Sequence, residues 1–229
     1  MLTQEMKDII DNARGDGWVM EPEAKRLLQL AGITVPRFFT AASLPEAMAA
    51  ANRIGYPLVA KIVSPKIIHK TEADGVAVGI EDEAELSVEF DRLQKLPGFR
   101  HVLIEETVAG VELIIGAKMD EQFGPVVLVG IGGTAVEIYQ DTVIRMAPVT
   151  ETDVDSMVQC LKGGELLRGY RGKPAVNMEQ LRRTVKVFSE LVYEAAADLE
   201  SVDLNPVMCS AAGCLVADAR IMLRSTSAS

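Results

Sequence analysis

The sequence predicts an α+β protein of two lobes, on three observations. Segments with helical apolar spacing alternate irregularly with short β-branched runs, the stretch from His101 to Met146 reads as antiparallel strands broken at glycine and proline, and no segment repeats. A regular βαβ array is thereby excluded. At 229 residues, 48% of them apolar, the chain is long enough to bury a substantial core in one large domain or two small lobes.

The elements follow in order. Residues 1–20 read as an N-terminal helical extension, 21–100 as the first lobe and 101–229 as the second. Ala24, Leu27, Leu28 and Ala31 share a helical face between Pro22 and Gly32, predicting a helix over Glu21–Ala31. Val35 to Thr40 reads as extended, and Ser43-Leu44-Pro45-Glu46 is a capping-box pattern opening a helix to about Ile54. Leu58–Val63 and Val76–Ile80 read as strands joined by a loop from Ser64 to Gly75. Asp82–Lys95 reads as a helix stopped at Pro97-Gly98. Strands are expected at His101–Glu105, Val111–Met119, Val126–Val129 and Val143–Met146, and capped helices at Thr150–Cys160 and Asn177–Ala197. A hairpin of Ser201–Cys209 and Cys214–Ala219 closes the chain before a frayed STSAS end.

Charge and composition exclude several classes. With 23 basic and 33 acidic residues the formal charge is −10, which argues against a nucleic-acid binder, because such affinity comes from neutralising phosphates. No apolar run approaches the roughly 20 residues of a membrane span, and the N-terminus lacks a secretory apolar core. Cys160, Cys209 and Cys214 show no zinc-site spacing and are expected as reduced thiols in a cytoplasmic protein.

A few residues have the chemistry of a site. Lys61 is a lone cation in the strand LVAKIV, where burial demands an anion: a nucleotide phosphate or a carboxylate. His69 lies in the following loop, where a histidine is either simply solvated or, if neutral and oriented by a partner, able to act as a nucleophile. The segment from Val102 to Gly116, with Glu105, Glu106 and Glu112, reads either as a purine hinge followed by a ribose acceptor or as solvated acids at a hairpin. Asn205 and Asp218 fall on strands expected to pair, where two oxygens suit magnesium or, taken singly, a turn and a strand end. Arg145 in VIRM is a candidate phosphate contact or a core-edge ion pair. Gly130-Ile131-Gly132-Gly133 matches neither the Rossmann nor the Walker spacing.

Taken in order, E-A-K-R-L-L, G-I-T-V-P, I-G-Y-P-L-V-A-K-I-V-S-P-K-I-I-H-K, F-G-P-V-V-L-V-G-I-G-G, R-M-A-P-V-T, L-L-R-G-Y-R-G and D-L-N-P resemble the β subunit, an ATP-grasp protein, of the ADP-forming acyl-CoA synthetases. The resemblance implies an ATP-grasp fold with nucleotide and magnesium between two α+β lobes. It also implies the reaction acyl-CoA + ADP + phosphate ⇌ carboxylate + ATP + CoA, with acetyl-CoA the expected thioester. By the same resemblance His69 is the phosphohistidine and Lys61 and Arg145 contact phosphates. Glu105, Glu106 and Val108 fall in the adenine hinge, Glu112 takes the ribose, and Asn205 and Asp218 hold Mg2+.

The family loop H-K-S-D-V-G-G-V is H-K-T-E-A-D-G-V here, so Asp74 replaces a glycine. The CoA-binding and ligase domains have no counterpart in this sequence. A separate α subunit, in an α2β2 assembly, is therefore implied, and activity only with it. A non-catalytic nucleotide-binding module of a protein acetyltransferase-like assembly is the second reading. A carboxylate-amine ligase fits less well, because that chemistry needs no phosphohistidine.

Overall fold

Apolar spacing near the N-terminus builds α1 (Gln4–Ala13), which buries Met6 and Ile10, the short strand β1 (Trp18–Val19), and α2 (Glu21–Ala31). The last starts with proline in its first turn and ends at Gly32, whose φ of 86° is the left-handed stop that glycine adopts without a Cβ clash. The computed structural model describes residues 2–133, 141–170, 172 and 174–225. Most of the STSAS end, residues 226–229, lies outside the described residues.

The chain divides into two compact units, Pro36–Val108 and Met1–Val35 with Ala109–Ser229. In the smaller, β2 (Phe38–Ala41), α3 (Leu44–Ile54), β3 (Leu58–Val63), β4 (Val76–Ile80), α4 (Glu83–Leu93) and β5 (His101–Glu106) form an antiparallel sheet of order β2-β5-β3-β4, with the helices closing its core. The capping box at Ser43 is half formed. Ser43 makes no side-chain cap bond, while Glu46 accepts the Ala42 N–H at 2.8 Å.

In the larger unit, β6 (Val111–Asp120), β7 (Gly124–Ile131), β8 (Thr142–Met146), β9 (Leu199–Cys209), β10 (Cys214–Val216) and β11 (Ala219–Leu223) join β1 in a sheet of order β1-β11-β9-β6-β7-β8, with β10 beside β9. Two helices, α5 (Glu151–Cys160) and α6 (Met178–Glu194), pack against its strands, α5 on β8 and α6 on β6, β7 and β9. Burial alternates along β6: Leu113, Ile115 and Ala117 are buried, Glu112 and Lys118 exposed.

The units differ from the lobes read off the sequence, for reasons of pairing. Strand β5 lies between β2 and β3, so it belongs with the residues before 100, while β1 pairs with β11 and ties the N-terminal segment to the larger unit. The final strand expected over Cys214–Ala219 is two, β10 and β11. Contrary to three free thiols, Cys209 and Cys214 face each other in the β9–β10 register and form a disulfide, leaving Cys160 free. Among the described residues no helix is long and apolar enough to cross a membrane.

Candidate active site

Lys61 sits in β3 opposite Leu103, and Glu105 in β5 opposite Val59, so the two are diagonal neighbours on one sheet face. Their side chains are buried and meet at 3.3 Å. The anion that Lys61 demands is thus at least partly supplied by the protein. Next along the chain, Glu106 is engaged differently: its carboxylate accepts the Arg37 backbone N–H at 2.9 Å and the guanidinium at 2.7 Å. Beyond it, Thr107 and Val108 leave the strand ladder, and the Thr107 hydroxyl donates to the Pro57 carbonyl at 3.0 Å.

Between β3 and β4 the loop from Ser64 to Gly75 is anchored and exposed in alternation. Ile67 joins the core of the smaller unit and Lys70 is buried, whereas the His69 side chain is 59% exposed. The Glu72 carboxylate lies 3.7 Å from its Nδ1. At the loop's trailing end Asp74 has φ 53°, the one non-glycine residue with positive φ among those described. This is the position where the family resemblance leads one to expect a glycine.

In the larger unit, β6 and β9 fall out of step: Leu113 faces Val207 but Ile115 faces Leu204, so Asn205 and Pro206 bulge opposite Ile114. Because Ile114 and Glu112 alternate with the buried Leu113 and Ile115, the bulge puts Asn205 on the same face as Glu112. Asp218 is brought alongside, its carbonyl accepting the Asn205 N–H at 3.1 Å. The sequence pairing of Asn205 with Asp218 is thus realised by backbone contact.

Gly132 and Gly133 complete this corner. The Gly132 N–H donates to the Glu112 carbonyl at 2.6 Å, and a Cβ on Gly132 would lie 2.9 Å from Glu112 backbone and Cβ atoms. Only glycine admits that approach. With Gly110, Val111, Ile131, Leu166 and Tyr170 they line a cleft of about 460 Å³. The glycine pair is visible in the sequence but matches no motif spacing. Leu166 and Tyr170 lie in and just after a 3₁₀ turn, Gly164–Arg168, which periodicity does not reveal.

Arg145 stands apart from these residues. It pairs in register with Val127, which is fully buried, and its guanidinium donates to the Ser156 hydroxyl of α5 at 3.4 Å and to the Ile144 carbonyl at 2.9 Å. Arg145 thus lies on the helix-covered face of the sheet, shared with Val127 and Ala117, whereas Glu112 points to the opposite face.

Asn205 and Asp218 are the residues whose chemistry is expected to suit a hard cation. Asn205 and Asp218 offer oxygen, and among the described residues no group of three or more His, Cys, Asp or Glu is placed to hold a metal. An ion that takes two protein oxygens and completes its shell with phosphate and water fits such a set.

A family model described as an ATP-grasp domain matches residues 12–223. The chain is 36% identical over 95% of its length, and 97% of the relative's, to acetate–CoA ligase (ADP-forming) I subunit beta of Pyrococcus furiosus. It superposes with a TM-score of 0.89, at 35% identity, on 99% of a chain of acetyl-coenzyme A synthetase 1 from Ca. Korarchaeum cryptofilum bound to coenzyme A and Ca-AMPCP, covering 95% of its own length. A second structure of that synthetase holds Mg-AMPPCP with its phosphohistidine segment pointing towards the nucleotide site, and matches with a TM-score of 0.84 at 34% identity over 96% of this chain and 100% of that one. The chain therefore belongs to the ATP-grasp family, in the branch that includes the β subunits of ADP-forming acetate–CoA ligases.

Proposed function

We propose that the chain is the ATP-grasp β subunit of an ADP-forming acyl-CoA synthetase, with acetyl-CoA the expected thioester, and that it relays a phosphoryl group through His69. The observation that carries this reading is an exposed histidine raised on an anchored loop of a chain that aligns, nearly end to end, with a synthetase whose structure contains a phosphohistidine segment. In the ATP-forming direction's reverse, a lone pair on the His69 ring attacks the γ-phosphorus of ATP. The P–N bond forms as the bond to the β,γ-bridging oxygen breaks, and ADP leaves with that electron pair.

The remaining roles are carried over from the family resemblance. Backbone groups from Glu105 to Val108 present hydrogen-bonding edges to the adenine, Lys61 contributes positive charge to the phosphates, and Glu112, beside Gly132 and Gly133, accepts from the ribose. Asn205 and Asp218 hold Mg2+, which when bound neutralises phosphate charge. Arg145 is assigned to packing between β8 and α5. An α subunit carrying CoA-binding and ligase functions is required for the complete reaction, in an α2β2 assembly. Asp74 does not oppose this reading, because its carboxylate is compensated by Arg92 at 2.9 Å.

The test is incubation of the chain with Mg-ATP labelled on the γ-phosphate, beside His69→Ala. Acid-labile, base-stable label on the unaltered chain and none on the variant is the expected result. ATP binding without label, even with a candidate α subunit present, would leave a nucleotide-binding module instead.

A further inference from the structure

We propose that Asp74, Arg92 and Glu89 form a clamp that fixes the trailing stem of the His69 loop to α4, which makes Asp74 and Arg92 positioning residues for transfer at His69. The proposal rests on the reading of His69 above. Arg92 is itself oriented by Glu89 one helical turn earlier, through contacts of 2.6 and 2.8 Å. Its Nη1 then donates to both the Asp74 carbonyl and the Asp74 carboxylate, the latter at 2.9 Å.

Three features make this a stem rather than an incidental surface pair. Asp74 is held in the left-handed region at φ 53°, which aspartate visits more readily than most residues but less freely than glycine, so a tether strengthens its hold. The next residue is stitched down too: the Gly75 N–H donates to the Lys70 carbonyl at 2.6 Å and its carbonyl accepts the Ile62 N–H at 2.8 Å. A Cβ at Gly75 would lie 3.0 Å from the Lys70 carbonyl oxygen. Upstream, the His69 and Glu72 side chains are 59% and 82% exposed; that of Asp74 is 83% exposed too, so what singles it out is its bonding to Arg92 and not burial.

The consequence is a fixed pivot. Any travel of His69 is confined to the residues before Asp74, and the imidazole returns to the same starting geometry after each excursion. A glycine at 74 takes the left-handed conformation freely but offers no carboxylate. Aspartate there exchanges backbone ease for a side-chain tether, so Arg92 strengthens its hold on the left-handed conformation.

Hydrogen exchange on the full chain, read beside γ-phosphate labelling, tests this. In Arg92→Ala, amides of residues 66–75 are expected to exchange about three- to tenfold faster, with β5 unchanged, the range a partly exposed ion pair and its backbone contact imply. The labelling rate at His69 falls by a similar factor while the half-saturating ATP concentration holds. Adding Asp74→Gly to Arg92→Ala returns the exchange toward that of the unaltered chain, because glycine no longer needs the tether. Unchanged exchange at 66–75, or an equal rise throughout 36–108, overturns the clamp. A half-saturating ATP concentration that rises with the rate loss overturns it as well, since Arg92 would then be a nucleotide contact. Absence of label on the unaltered chain overturns the His69 reading and the clamp's part in transfer, and the exchange pattern still decides the clamp itself.

Discussion

Gly132 has no room for a side chain: a methyl there meets the Glu112 backbone at 2.9 Å, and a backbone neighbour cannot swing aside. Gly132→Ala is expected to destabilise by about 1–3 kcal/mol through overpacking and to weaken ATP binding by displacing Glu112. Calorimetric titration with Mg-ATP, alongside urea unfolding, measures both. Lys61 and Glu105 form the other residue-level constraint, being nearly inaccessible and 3.3 Å apart. Lys61→Met strips a buried carboxylate of its ion pair and is expected to cost about 3 kcal/mol. The double change Lys61→Met/Glu105→Leu should cost clearly less in urea titrations, because neither charge is then buried. Pattern alone showed that Lys61 needed an anion. It did not show which, since the diagonal contact with Glu105 requires the β3–β5 register, and register is not written in either strand by itself.

Among the elements, α5 carries the most complete local signal. Thr150 accepts the Asp153 N–H at 3.2 Å while Asp153 accepts the Thr150 N–H at 2.8 Å, a reciprocal capping box. Hydrogen bonds from the Thr150 hydroxyl and then from its N–H hold the Asp153 carboxyl below the usual carboxylate range. A carboxyl whose folded pKa is depressed stabilises fully above its unfolded pKa and loses that contribution as pH falls through the folded one. Thermal melts should therefore show the advantage of Thr150 over Thr150→Ala at neutral pH shrinking as pH is lowered through and below the ordinary aspartate range. Helices with such punctuation were legible: α2 ends where Gly32 stops it, and α6 begins after Asn177, whose side chain accepts the Gln180 N–H. Strands β1 and β11 were not, because a two-residue strand has no periodicity and β11 is set apart from β10 only by its partner segment on β9. The clamp was half visible. The missing glycine marked Asp74, but Arg92, eighteen residues on, carries no local sign of its target.

At the scale of the whole molecule, the smaller unit is inserted into the chain with its ends side by side. Phe38 pairs with Glu105, and the Glu106 N–H donates to the Arg37 carbonyl at 3.0 Å. Its apolar cluster draws only on residues from Ala41 to Ile104, the condition for independent folding. A polypeptide of residues 36–108 is accordingly expected to unfold cooperatively by circular dichroism, with modest stability at that size. A featureless melt would show that its core depends on the rest of the chain.

The cysteine arrangement bears on how the protein can be handled. With Cys209 and Cys214 closed on each other and buried, and Cys160 exposed at the end of α5, the native chain should titrate as one thiol, rising to three after unfolding in reductant. A maleimide fluorophore would then attach at a single defined point on the larger unit, giving a spectroscopic reporter without any engineered cysteine.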